Sequence, residues 1–318
     1  MHEPRIVVIG GGTGLSVLLK GLKKYTSCLT AVVTVSDDGG SSGRLRAELG
    51  VLPPGDIRNC LVALAETETL MDKVFQHRFQ QEGSLQGHNL GNLLLVALTE
   101  ITGDFTSAIK EVSKVLAVRG KVIPATLEHV MLGARMKDGI MVYGETSIRN
   151  YGGVIDRLFL VPELCLPVPE TLEAIMQADV VVLGPGSLFS SIIPNLLVNG
   201  IGDALADSRA AKIYVSNIMT EQGETDNYSA SDHLREIMKY VNRPVIDYAI
   251  VNNGSIDEHR LQRYQKEKAV PVLVNKEEIA DMGITIWAGD LLSDSQLAWH
   301  DSGKLAQAII RILEKKKV

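Results

Sequence analysis

Two glycine clusters stand where a chain can bring bare backbone against an anion. Gly10-Gly11-Gly12-Thr13-Gly14 follows the β-branched run Arg5–Ile9 and precedes a helical pattern over Leu15–Lys24. Lacking Cβ atoms, such a loop comes within van der Waals distance of a ligand, and the following helix aims free N–H groups at negative charge. The dinucleotide fingerprint G-x-G-x-x-G is incomplete, because Leu15 fills its last glycine position, and no Gly-Lys-Ser/Thr follows to make a P-loop. Gly184-Pro185-Gly186-Ser187 repeats the arrangement after the apolar run Asp179–Leu183. Gly11, Gly12, Thr13 and Gly14 with Gly184, Pro185, Gly186 and Ser187 are therefore the candidate phosphate cradle, since a turn needed only for packing would require fewer glycines.

A third stretch, Ser36-Asp37-Asp38-Gly39-Gly40-Ser41-Ser42-Gly43-Arg44, reads as a surface loop at the end of a second strand, Ala31–Val35. Asp37 lies 27 residues beyond Gly10, near the spacing at which an acidic residue grips a ribose hydroxyl. The adjacent carboxylates of Asp37 and Asp38 could instead hold Mg²⁺ against a diphosphate. Gly39 and Ser42 offer N–H and hydroxyl donors, and Arg44 is a candidate phosphate clamp. Further on, Asp56 is equally suited to cap a helix or to act as an acid or base, and Asn59 falls one turn inside that helix. His88, Asn89 and Asn92 open another helix, where the amides could read polar ligand atoms. Asn217 and Asn253 follow later apolar runs, and Tyr264 could stack on a base or simply face solvent on its helix. Seven histidines form no HxH or HExxH pattern, so histidine metal binding has no support.

The elements around these loops alternate in type. Short apolar runs at Arg5–Ile9, Ala31–Val35, Val180–Leu183, Ile213–Ser216 and Val245–Val251 predict buried parallel strands. A helical block is expected over about 53–118. Gly120–Leu160, with its regular turn residues, predicts an antiparallel β-hairpin extension. Helical patterns follow at Ser231–Tyr240, Ile256–Lys266 and Lys304–Lys317. The predicted fold class is α/β: a Rossmann-like, three-layer, doubly wound, mainly parallel sheet, read as one domain over 1–318.

Composition narrows the function. The chain has 318 residues, 45% hydrophobic and 22% charged, with net charge −6 and a pI near 5.7, which is an ordinary globular balance without a nucleic-acid-binding footprint. Cys28, Cys60 and Cys165 form no CxxC and no disulfide framework, which points to a reducing cytoplasm. Val180–Gly202 is long and uncharged but contains Pro185, Pro194 and several glycines, so no membrane insertion is expected.

Together the stretches GGGTGLSVLLKGLK (10–23), VSDDGGSSGRLR (35–46), LPPGDIRNCLVAL (52–64), GHNLGNLLL (87–95) and GPGSLFSSIIPNLL (184–197) resemble the YvcK-like gluconeogenesis factors. That family is related in fold to the 2-phospho-L-lactate transferases of deazaflavin cofactor synthesis. The resemblance covers nearly the whole chain. It implies a nucleotide-type ligand at the strand ends, with UDP-sugars such as UDP-N-acetylglucosamine for the gluconeogenesis-factor branch. It also implies support of cell shape and wall synthesis during growth on gluconeogenic carbon, with no established reaction. NAD, which shares a pyrophosphate and a ribose with UDP-sugars, could occupy the same pocket. The transferase branch implies an alternative: a Mg-dependent transferase acting on a nucleotide diphosphate-linked donor. The SSGR continuation after Asp37-Asp38 belongs to the gluconeogenesis-factor pattern. Trp299 stands where related chains often carry a basic residue, so no role is carried over to it. Expected partners are the nucleotide sugar, a second copy of the chain, and a cell-wall synthesis or regulatory protein.

Overall fold

The computed structural model describes residues 3–66, 70–241, 243–266 and 268–316. The chain begins with β1 (Ile6–Gly10), α1 (Gly12–Leu22) and β2 (Leu29–Val33). Helices α2 (Gly40–Leu49), α3 (Gly55–Leu64), α4 (Leu70–Gln76), α5 (Leu90–Thr102) and α6 (Phe105–Val115) then lead to β3 (Lys121–Pro124). Next come β4 (Met131–Met136), β5 (Met141–Tyr143), α7 (Glu145–Tyr151), β6 (Ile155–Val161), α8 (Pro169–Gln177) and β7 (Val180–Leu183). A single π-helical turn, Leu188–Ile192, runs into α9 (Ile193–Leu196) and α10 (Ile201–Asp207). The remainder is β8 (Ala211–Val215), α11 (Ala230–Met238), β9 (Tyr248–Asn252), α12 (Glu258–Gln265), α13 (Lys276–Asp281), β10 (Thr285–Gly289) and α14 (Ser302–Lys316).

Seven strands make one parallel sheet in the order β10-β9-β8-β7-β1-β2-β3. The chain winds outward from β1 in one direction through β2 and β3, and in the other through β7 to β10, so the topology reverses between β1 and β7. β1 and β7 are buried along their whole length, as central strands covered on both faces must be, and their Val/Ile-rich sequence supplies the apolar surface. Leu15, Leu18, Leu19 and Leu22 of α1 are fully buried against this sheet, each contributing roughly 1.5–3 kcal/mol. The expected doubly wound α/β class is thus observed.

Several expected boundaries differ. The second strand sits at Leu29–Val33, and the expected loop 36–44 ends at Gly40, where α2 begins and carries Ser42 and Arg44 into a helix. Lys121–Pro124 pairs in parallel with β2 as the edge of the main sheet, so only β4, β5 and β6 form the antiparallel extension. The stretch expected to be hairpins throughout also contains a helix, α7, between β5 and β6. β10 joins the far edge of the sheet beside β9 and was not expected. The helical block is observed as α3 to α6, and Lys317 of the expected last helix lies outside the described residues. No single helix among the described residues is long and apolar enough to cross a membrane; the apolar stretch after β7 is bent by 76° between Leu196 and Ile201.

Candidate functional site

Open α/β sheets bind ligands in the crevice outside the carboxyl ends of their strands, where the strand order reverses. Here that point lies between β1 and β7, and both glycine loops leave the sheet there. The two loops are stacked tightly: a Cβ on Gly14 would lie 2.6 Å from the Pro185 carbonyl oxygen. Gly186, at φ +158, faces the Gly11 carbonyl in the same way. A cavity of about 740 Å³ opens above them. Its floor is Gly11, Gly12, Thr13, Gly14, Pro185, Gly186 and Ser187, with Gly184 entering the second loop beneath.

Three other segments wall this cavity. Asn217 and Glu221 follow β8; Arg149 and Asn150 come from the end of α7; Tyr264, Trp299 and His300 close the far side. Ser187 Oγ donates to Glu221 Oε2 at 2.5 Å, Asn217 Nδ2 donates to Glu221 Oε1 at 3.1 Å, and the Gly186 N–H donates to Asn217 Oδ1 at 3.4 Å. Asn217 and Glu221 therefore brace the second glycine loop from below. The Tyr264 hydroxyl oxygen accepts from the Ala298 N–H at 3.1 Å, tying α12 to the segment carrying Trp299. Burial holds the His300 imidazole neutral, its pKa pushed down to about 4, and its Nε2 has no hydrogen-bond partner.

The β2 side of the crevice is acidic. The Gly12 N–H donates to Asp56 Oδ2 at 2.8 Å, so Asp56 fixes the first glycine loop; burial raises its carboxyl to about 6. Glu145, on the first turn of α7, is pushed up to about 9 by burial and then by the charges of Asp37, Glu224, Asp56 and Asp38. Burial, then Glu221, raises Glu224 to about 7, and its Oε2 is buried without a partner. Arg149 opposes these shifts in Glu221 and Glu224.

The expected residues divide sharply in this frame. Asp37 and Asp38 have different partners. Asp37 Oδ1 accepts from the Gly39 N–H at 2.8 Å, while Asp38 Oδ1 accepts from the Thr146 N–H and Oγ1 at 2.9 and 2.7 Å. Among the described residues no group of three or more His, Cys, Asp or Glu is arranged to hold a metal ion. Gly39 is the N-cap of α2, and buried Ser42 accepts from the Gly55 N–H at 3.1 Å. Arg44 lies outside the cavity, its Nη2 donating to the Gln86 carbonyl at 2.7 Å. Asn59 accepts from the neighbouring Arg58 guanidinium and also lies outside it. Asn89 caps α5 by accepting from the Asn92 N–H, and Asn92 Nδ2 donates to Ser41 Oγ at 3.2 Å; both amides are buried inside the protein. His88 Nδ1 sits 3.2 Å from the same hydroxyl. Asn253 lines a separate cavity of about 280 Å³ at the ends of β8 and β9, which shares Asn217 and Ile218 with the large one.

Arg149, Asn150, Glu145, Glu221 and Glu224 were not singled out from sequence. No glycine or hydroxyl cluster marks them; Glu145, Arg149 and Asn150 depend on how the small sheet seats α7 against the crevice, and Glu221 and Glu224 lie in the long connection between β8 and α11.

The chain is an open, doubly wound α/β protein with paired glycine loops at its switch point. The chain belongs to the family described as 2-phospho-L-lactate transferase CofD, whose model matches residues 6–292. A gluconeogenesis factor of Halalkalibacterium halodurans is 50% identical to it, covering 98% of this chain and 97% of that protein. One from Bacillus subtilis is 47% identical over 99% of each. A crystal structure of a member of the UPF0052 family from Bacillus halodurans matches with a TM-score of 0.94 at 49% identity, covering 98% of this chain and all of that one.

Proposed function

We propose that this chain is a cytoplasmic nucleotide-sugar-binding regulatory factor, taking a ligand of the UDP-N-acetylglucosamine type and supporting cell shape and wall synthesis during growth on gluconeogenic carbon. The observation that carries this reading is the pair of glycine loops at the switch point, opening into a cavity of about 740 Å³ with one aromatic wall. The N–H groups at the start of α1 offer the diphosphate a backbone cradle. Arg149 adds a cation, and the aromatic side chains of Tyr264 and Trp299 line the cavity as stacking partners for the base. Kinship with gluconeogenesis factors at about half identity over full length supports the physiological part.

The family description favours a second reading, a transferase acting on a nucleotide diphosphate-linked donor. In that reading Asp37 and Asp38, whose Oδ1 atoms accept from Gly39 and Thr146, would present their remaining carboxylate oxygens to a divalent ion. Calorimetry with UDP-N-acetylglucosamine, NAD and GDP, with and without Mg²⁺, followed by product analysis, separates the two. Saturable UDP-sugar binding with intact ligand recovered is the expected result. Metal-dependent consumption of the nucleotide would replace it with the transferase. Binding of NAD or GDP without the UDP-sugar would overturn the ligand assignment.

A further inference from the structure

The small antiparallel sheet turns one face inward and leaves the other open. Leu132, Ala134, Met136, Leu158 and Leu160 point into the core, whereas Met131, Met141, Tyr143 and Val161 are more than a third exposed. Those four account for a fifth of the twenty large apolar side chains exposed to that degree among the described residues. Scattered single apolar residues are normal on a surface, but a contiguous set is the mark of an interface.

The register builds that set. Gly133 of β4 lies opposite both Tyr143 of β5 and Phe159 of β6. With no side chain between them, the two rings meet edge to face at 5.9 Å. A Cβ on Gly133 would sit 2.4 Å from the Phe159 ring. Met131 and Val161 pair at one end of the face, Arg135 and Arg157 at the other.

The charges are distributed in a self-complementary way. Arg135 is neutralised by Asp156 at 2.6 Å. Arg157 has no carboxylate within ion-pair distance among the described residues, and neither does Glu163 have a cation. Both line one shallow trough of about 510 Å³ that also takes in Met141, Phe159 and Val161. Arg157 lies toward one end of β6 and Glu163 just past the other, with Phe159 and its apolar neighbours between. A two-fold axis near Phe159 would lay this apolar centre against itself and set each Arg157 against the other copy's Glu163.

We propose that this outer face of β5-β4-β6 is an isologous docking surface for a second copy of the chain, closed by two Arg157–Glu163 pairs. The net charge of −6 disfavours association of two copies, and local opposite-sign pairing offsets part of that repulsion while fixing the register. α7, which supplies Arg149 and Asn150 to the cavity wall, is carried between two strands of this sheet, so the association would brace the site from outside.

Sedimentation velocity of the full chain over about 0.1–100 μM tests the proposal. The expected result is a concentration-dependent dimer. Arg157→Glu or Glu163→Arg alone should weaken it about tenfold or more, because each substitution makes two like-charge contacts by symmetry. The double exchange R157E/E163R should restore it. Tyr143→Asp should abolish it with the circular dichroism spectrum unchanged. A wild-type chain that stays monomeric throughout overturns the proposal, as does a dimer indifferent to both charge reversals or unrestored by the double exchange.

Discussion

On the β1–β7 side of the crevice the chain offers backbone and hydroxyls; on the β2 side it offers carboxylates. The first flank is Gly11 to Gly14 against Pro185 to Ser187, packed so closely that a methyl group at Gly14 has no room. The second is Asp37, Asp56 and Glu145, all half-buried, where desolvation and mutual repulsion raise all three pKa values. A single hydrogen bond, Gly12 N–H to Asp56, joins the two flanks. Geometry fixes the neutral flank, so it tolerates no added volume. Charge balance fixes the acidic flank, so it responds to pH. Substitutions on the two sides should therefore fail in different ways.

The largest effect is expected on the neutral side. Gly14→Ala places its methyl 2.6 Å from the Pro185 oxygen, a backbone atom that cannot swing aside. Separating the loops should cost about 1–3 kcal/mol, measured by urea unfolding, with ligand affinity falling too. An unchanged unfolding midpoint would mean that the two loops are not locked together.

Next in size is Arg149→Ala, which removes a cation from the cavity wall and its compensation of Glu221 and Glu224. UDP-N-acetylglucosamine affinity should fall about tenfold, or about 1.4 kcal/mol, by calorimetry. Arg149→Lys should recover part of it. Equal affinity in all three proteins would place the diphosphate elsewhere.

How much of this was legible in the sequence follows from how far each feature reaches along the chain. Strand, glycine turn and helix are encoded in about fifteen consecutive residues, so both glycine loops and the α/β class could be read directly. The Asn89 and Asn92 pair was read as ligand-facing although Asn just before a helix is also an N-cap signal, and capping is what the structure shows. Glu145 and Arg149 could not be found, because α7 reaches the crevice only through the pairing of β4 with β5 and β6. The run Lys121–Pro124 looks the same whether it joins the small sheet or the large one; only its long-range partner Thr30–Val33 decides.

The acidic flank yields an effect that shows only as the pH changes. The Glu145 carboxyl, ordinarily near 4.5, is raised to about 9, so the folded protein keeps a proton that the unfolded chain has released. Folded and unfolded states then differ in bound protons between about pH 4.5 and 9, and stability falls as pH rises across that window. Glu224, raised to about 7, adds its own decline over the lower part of the range. Glu145→Gln, which stays uncharged throughout, should flatten the fall in Tm between pH 6 and 9. A slope as steep as wild type would mean that the proton resides on another group.

The smallest effect is expected at Arg44. Sequence position made it the natural phosphate clamp, yet its guanidinium donates to the Gln86 carbonyl on the protein surface, outside the cavity. Surface contacts of this kind are worth under about 1 kcal/mol. Arg44→Ala should change UDP-sugar affinity less than about threefold while Arg149→Ala in the same assay changes it about tenfold. The reverse order would move the diphosphate to the α2 end of the crevice and would require α2 and α5 to approach the glycine loops on binding. The two arginines therefore report which flank would hold the phosphates: the neutral one, where Arg149 lines the cavity with the glycine loops, or the acidic one, where carboxylates already take up the donors of Gly39 and Thr146.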